Sequence, residues 1–143
     1  IDVISEIAFT VMDLGDRGHP DLGWRLLNAW LEHSGDYAGV ALLRFYLTYR
    51  AMVRAKVAII RQHQAAPATA AFEAAREEYE GYLHHAERYT RPPQGALLIT
   101  HGWSGAGKTT VSQQVIETLG AIRVRSDVER KRLHGLAATA RSR

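Results

Sequence analysis

The sequence predicts a predominantly helical chain, an all-α lobe followed by the start of an α/β unit with two parallel strands and an incomplete sheet. Three observations predict it. Apolar residues recur at helical spacing from Val3 to Tyr89. The run Pro92-Pro93-Gln94-Gly95 then breaks the pattern. Behind it, the apolar run Ala96-Leu97-Leu98-Ile99-Thr100 leads into Gly102-Trp103-Ser104-Gly105-Ala106-Gly107-Lys108-Thr109-Thr110. The spacing G-x-x-x-x-G-K-[ST] is that of the phosphate-binding P-loop. The fold class expected is therefore an α/β P-loop NTPase fragment preceded by a helical lobe.

Asp2 is placed to cap a helix over residues 3–14, with Val3, Ile4, Ile7, Ala8, Val11 and Met12 on one face. A turn over residues 15–20 ends it. Asp21, behind Pro20, opens a second helix whose Leu22, Leu26, Leu27, Trp30 and Leu31 read as core, closed by Ser34-Gly35. Residues 37–64 are apolar on most sides, which predicts a helix in the middle of a bundle. Pro67 breaks it. A fourth helix carries Phe72, Ala75, Tyr79, Tyr82, Leu83, Ala86 and Tyr89 inward and a Glu-rich face outward. The boundary at residues 91–95 separates a helical domain, 1–91, from a P-loop domain, 96–143. In the second, residues 96–100 predict a strand, a helix runs from near Lys108 through 111–119, and residues 121–125 predict a second strand. Ser126-Asp127 opens a last helix through Leu133.

Composition narrows the function. Of 143 residues, 46% are hydrophobic and 23% charged, an ordinary globular balance. No run approaches the roughly 18 apolar residues of a membrane span, so no membrane partner is expected. With no cysteine, disulfides and thiolate metal sites are excluded. No leader pattern opens the chain, so the expected location is cytoplasmic. Residues 121–143 hold seven Lys/Arg against Asp127 and Glu129, without interleaved aromatics. That suits a phosphate-handling site better than nucleic acid. The chain opens on Ile1 and closes on Arg143 in mid-pattern, which suggests a piece of a longer protein. On that expectation the remaining strands, a further acidic residue and a lid would follow Arg143. Oligomeric state is not readable.

Each P-loop residue type has a mechanical reason. Gly102, Gly105 and Gly107 permit backbone angles that turn successive N–H groups toward one anion. Together with Ser104, Ala106, Lys108, Thr109 and Thr110 they form the expected ATP-binding loop. The following helix adds its positive end. Lys108 would bridge the β and γ phosphates, and the Thr109 hydroxyl would hold Mg²⁺. Trp103 stands where a smaller residue is expected. In a parallel sheet ligands bind beyond the carboxyl ends of strands, where both the P-loop and Ser126-Asp127 are predicted. Asp127 would take the proton of an attacking hydroxyl and Arg130, one turn on, would bind the substrate or the transferring phosphoryl group. Alternatively Asp127 is only a cap and Arg130 a surface cation. Arg50, Arg54 and Lys56 read as snorkelling cations, adjacent His84 and His85 as poor joint metal ligands, and Asp13 and Asp16 as solvent-facing or turn-capping.

Residues 97–136, through His101 to Thr110 and Arg125-Ser126-Asp127-Val128-Glu129-Arg130-Lys131-Arg132-Leu133, resemble the AAA-type ATP-binding domain of small P-loop kinases related to zeta toxins, gluconate kinases and polynucleotide kinases. The resemblance implies that Asp127 is the acceptor-side catalytic group, with Arg130 and Lys108 as its catalytic companions. Residues 1–14 and 49–57 resemble the helical C-terminal lobe of aminoglycoside-phosphotransferase-like kinases. Together the halves are similar to the junction of bacterial bifunctional aminoglycoside phosphotransferase/ATP-binding proteins. The implied function is ATP-dependent phosphoryl transfer to a small-molecule or other hydroxyl acceptor. The alternatives are a nucleotide-sensing or ATP-hydrolysing module, and an aminoglycoside-type phosphotransferase whose catalytic residues precede residue 1.

Overall fold

A computed structural model describes residues 2–92, 95–137 and 140. Pro93 and Gln94 of the expected domain join, Ile1, Ala138, Thr139 and the last three residues, 141–143, lie outside the described residues. The described residues form six α-helices in order: α1 Val3–Asp16, α2 Pro20–Ser34, α3 Val40–Gln64, α4 Ala70–Thr90, α5 Lys108–Leu119 and α6 Ser126–Leu133. A 3-10 turn, Tyr37–Gly39, leads into α3. The caps follow the local chemistry. Asp2 accepts the Ile4 N–H and Thr69 the Phe72 N–H, while α2 starts on Pro20 and stops at left-handed Gly35.

The first four helices make one core. Ile4, Ala8, Val11 and Met12 of α1 meet Leu27 and Leu31 of α2, Leu43, Leu47, Ala51 and Ala55 of α3, and Tyr82 and Ala86 of α4. Helices α3 and α4 form an antiparallel pair, in which the alanines on both let the backbones approach. Arg61 reaches Glu78 (2.8 Å) near the turn, and Arg44 donates to the Tyr89 carbonyl (2.6 Å) at the far end. The expectation that α3 lies mid-bundle is corrected: Leu42, Phe45, Tyr49, Met52 and Ile60 form an exposed stripe along it. Its opposite side is buried, because α1 and α4 pack along it.

Arg50 and Arg54 also depart from the snorkelling expectation. They turn into the seam between α1 and α3, where Arg50 binds Ser5 (3.0 Å) and Glu6 (2.6 Å). Arg54 binds Asp13 (2.8 Å) with its guanidinium 5.8 Å and 5.7 Å from the Phe9 and Tyr82 ring centres. Asp13 is thus an ion-pair partner rather than a solvent-facing residue, and Asp16 lies 3.7 Å from His85. Arg17 chiefly holds the Asp13 carboxyl below its usual value, against the opposing effect of burial, and Arg54 adds to it. A carboxyl with a lowered folded-state pKa stabilises the fold above its unfolded value, 3.8, and loses that contribution as pH falls through the lower folded value. Urea unfolding at stepped pH should therefore show a steeper loss of stability below about pH 4 for the native protein than for Asp13→Asn.

The two strands predicted at 96–100 and 121–125 do not form. Among the described residues there is no strand and no sheet, and the α/β P-loop NTPase fold is not seen. The physical reason differs for the two segments. Leu97 and Ile99 are 86% and 83% exposed, so residues 96–100 carry strand-like composition with nothing to pair against. Residues 121–125 take partners from a helix instead. The Asn28 amide donates to the Ala121 carbonyl (2.9 Å) and accepts the Arg123 N–H (2.7 Å), while the Tyr37 hydroxyl donates to the Arg123 carbonyl (3.4 Å). Asn28 is 2% exposed. One side-chain amide thus supplies the donor and acceptor that a neighbouring strand would offer.

Candidate functional site

Helix α5 sits against α2. Its end is set by Gly120, at φ +65°, where an added Cβ would lie 2.7 Å from the Trp24 ring. Gly120→Ala should therefore push α5 off α2 and cost about 1–3 kcal/mol in chemical denaturation, from strain and overpacking together.

The loop before α5 has the expected backbone. Gly102, Gly105 and Gly107 have φ of +146°, +80° and +78°, all in the region open to glycine. The Ala106 N–H closes a turn on the Trp103 carbonyl (3.2 Å) and the Val111 N–H reaches the Gly107 carbonyl (3.1 Å). Between them, the N–H groups of Gly105, Gly107, Lys108, Thr109 and Thr110 take no acceptor among the described residues. Lys108 folds back over the loop, its Nζ donating to the carbonyls of Gly102 (2.8 Å) and Trp103 (2.7 Å). The loop is exposed, with Trp103 at 90%, so that side chain covers nothing here.

The donor set fits a phosphate chain. Unpaired N–H groups, an ammonium and a helix N-terminus stand together, and among the described residues no carboxylate forms an ion pair with Lys108. For Mg²⁺ the fit is through Thr109. Among the described residues no group of three His, Asp or Glu could hold a metal by itself.

Asp127 lies in the first turn of α6, with Arg125 as the cap residue. Arg125 donates to its Oδ2 (3.0 Å). Burial opposes ionisation of Asp127, but Arg125 and the N–H groups of Val128 and Asp127 itself outweigh it and hold the carboxyl below its usual value. It is thus an ionised carboxylate at neutral pH, better suited to orienting a hydroxyl than to taking its proton. Arg130 is exposed and unpaired among the described residues.

No hydrogen bond or ion pair joins Lys108 to Asp127 or Arg130. Residues that the sequence reading passed over connect the two regions. Arg123 donates to the Thr109 carbonyl (3.4 Å), Ser112 (3.4 Å) and Gln113 (3.1 Å) on α5 and to Glu32 Oε2 (3.4 Å) on α2. Glu32 Oε1 accepts from Arg125 (3.0 Å), and Arg132 donates to the Glu32 main-chain carbonyl. The alternation of Arg123 and Arg125 in an extended segment was the available signal. Their shared acceptor, some 90 residues earlier, gave none.

Residues 97–143 match the family model described as an AAA domain. Three uncharacterized proteins, one from Mycobacterium bovis and two from strains of Mycobacterium tuberculosis, are each 38% identical over 133 residues. The alignments cover 93% of this chain and 26% of each relative, so the chain spans about a quarter of the length of the curated relatives it matches. No solved structure matches it. The family match begins at residue 97 and lends no support to an aminoglycoside-phosphotransferase lobe before it. No helix among the described residues is long and apolar enough to cross a membrane. Residues 97–143 are similar to an AAA domain, and at that coarse level the match supports nucleotide binding by a P-loop.

Proposed function

We propose that the loop over residues 102–110 binds ATP with Mg²⁺ and that the protein transfers the γ-phosphoryl group to a hydroxyl acceptor in the cytoplasm. The observation that carries this reading is the set of unpaired N–H groups beside Lys108 on a left-handed glycine loop. Lys108 exchanges its loop carbonyls for phosphate oxygens when the nucleotide arrives. Thr109 would hold Mg²⁺, which would supply charge neutralisation on the phosphates. The acceptor oxygen forms a bond to Pγ as the bond from Pγ to the bridging oxygen breaks, and ADP leaves. Asp127 orients the acceptor hydroxyl, whose proton passes to that carboxylate or to water, and Arg130 binds the transferring group.

One observation favours a second reading. The Asp127 carboxylate is engaged by Arg125 and by helix-end N–H groups, as a purely structural carboxylate would be. The loop is then a nucleotide sensor or a slow ATPase. ADP release followed with and without a panel of polyols, sugars and nucleosides separates the two. Acceptor-stimulated release with a phosphorylated product supports transfer, and release unaffected by every acceptor supports the sensor or ATPase. No observation on the helical lobe favours aminoglycoside phosphorylation.

A further inference from the structure

We infer that Glu32, on α2 of the helical lobe, is a positioning residue that sets the nucleotide loop and Asp127 relative to each other. The inference rests on the transfer reading above. With no sheet among the described residues to hold the end of residues 121–125, something else must place Asp127, and the contacts identify it. Asn28 and Glu32 lie one helical turn apart on α2 and face the same extended segment. Asn28 fixes its backbone through Ala121 and Arg123. Glu32 fixes its two arginines, one through each carboxylate oxygen, at 3.4 Å and 3.0 Å.

Those arginines lead to opposite halves of the site. Arg123 continues to the main chain of Thr109, the residue that would carry the metal, and to the next turn of α5. Arg125 continues to the Asp127 carboxylate. The Glu32 carboxylate is about one quarter exposed and Arg123 less, so the pairing is partly shielded from solvent. Replacing it with an amide keeps the shape but removes the negative charge that lies between two guanidiniums. Arg125 is then free to close wholly on Asp127, and the Arg123 guanidinium loses its charge pairing with α2, while its backbone stays on Asn28. The loop N–H groups and Lys108 are untouched by this change. Glu32 should therefore govern turnover rather than ATP affinity.

The test measures ADP release at saturating ATP, and the affinity for a fluorescent ATP analogue, in the whole protein carrying Glu32→Gln, Glu32→Asp or Lys108→Ala. The expected result is a fall in turnover on the order of tenfold to a hundredfold in Glu32→Gln, the scale of an ångström-level misplacement. Analogue affinity should stay within about threefold, and Glu32→Asp should recover part of the rate. Native turnover in Glu32→Gln, with analogue binding lost in Lys108→Ala, overturns the role of Glu32 alone. Unchanged binding in Lys108→Ala overturns the nucleotide reading and this inference with it. Should Glu32→Gln lose its helical circular dichroism, Arg125→Gln decides the matter from the other side of the pair, where native turnover overturns the inference.

Discussion

Asp127→Asn should lower phosphoryl transfer about a hundredfold, the scale of a lost orienting contact, while ATP affinity stays within a few-fold. The two effects separate because Asp127 touches Arg125 and the start of α6 and makes no contact with the loop that would hold the phosphates. The asparagine keeps one acceptor oxygen for Arg125, so that contact should survive. It cannot orient a hydroxyl as an anion does. Single-turnover ADP formation, with affinity measured separately, checks this. Unchanged transfer would return Asp127 to a structural carboxylate and favour the sensor reading.

Lys108→Ala should weaken ATP binding by about a hundredfold or more, near 3 kcal/mol, as expected when an ammonium is removed from a phosphate site. Its Nζ now spans the carbonyls of Gly102 and Trp103, so the alanine variant also loses two ties across the loop. Lys108→Arg discriminates between the two losses. The guanidinium retains charge but not the compact reach of an ammonium, so partial binding should return with little turnover. Calorimetric titration of both variants reads the affinities.

How much was legible depended on where each partner lies in sequence. The helices of the lobe were readable because their signals are local: Asp2 caps, Pro20 marks the opening of α2, Gly35 stops it, and Ile4, Ala8, Val11 and Met12 repeat at helical spacing. The loop was readable for the same reason, since the φ values of Gly102, Gly105 and Gly107 follow from their glycines. The strands were misread because β-rich composition states only that a segment would suit a pleated surface. Whether it forms one depends on a neighbour, and residues 121–125 found Asn28 instead. Nothing in the local sequence singles out Asn28 on α2. Glu32 was equally silent, because its partners Arg123 and Arg125 are about 90 positions away and no spacing rule reaches that far. The inward turn of Arg54 toward Asp13 was missed on the same ground.

The loss of the sheet also changes what supports the site. Placement of Asp127 was first argued from the carboxyl ends of parallel strands, and that argument fails with the strands. What stands in its place is a chain of side-chain contacts from Thr109 through Arg123, Glu32 and Arg125 to Asp127. The helical lobe is thereby a structural part of the candidate site rather than a neighbour of it.

The central claim is that the loop recognises a phosphate chain, and calorimetric titration of the whole protein with ATP, ADP, AMP and adenosine in the presence of Mg²⁺ tests it most directly. Saturable one-to-one binding of ATP is predicted, falling by at least about a hundredfold at AMP, which lacks the phosphates Lys108 would bridge. Equal affinity for ATP and AMP, or no binding of ATP, would contradict it.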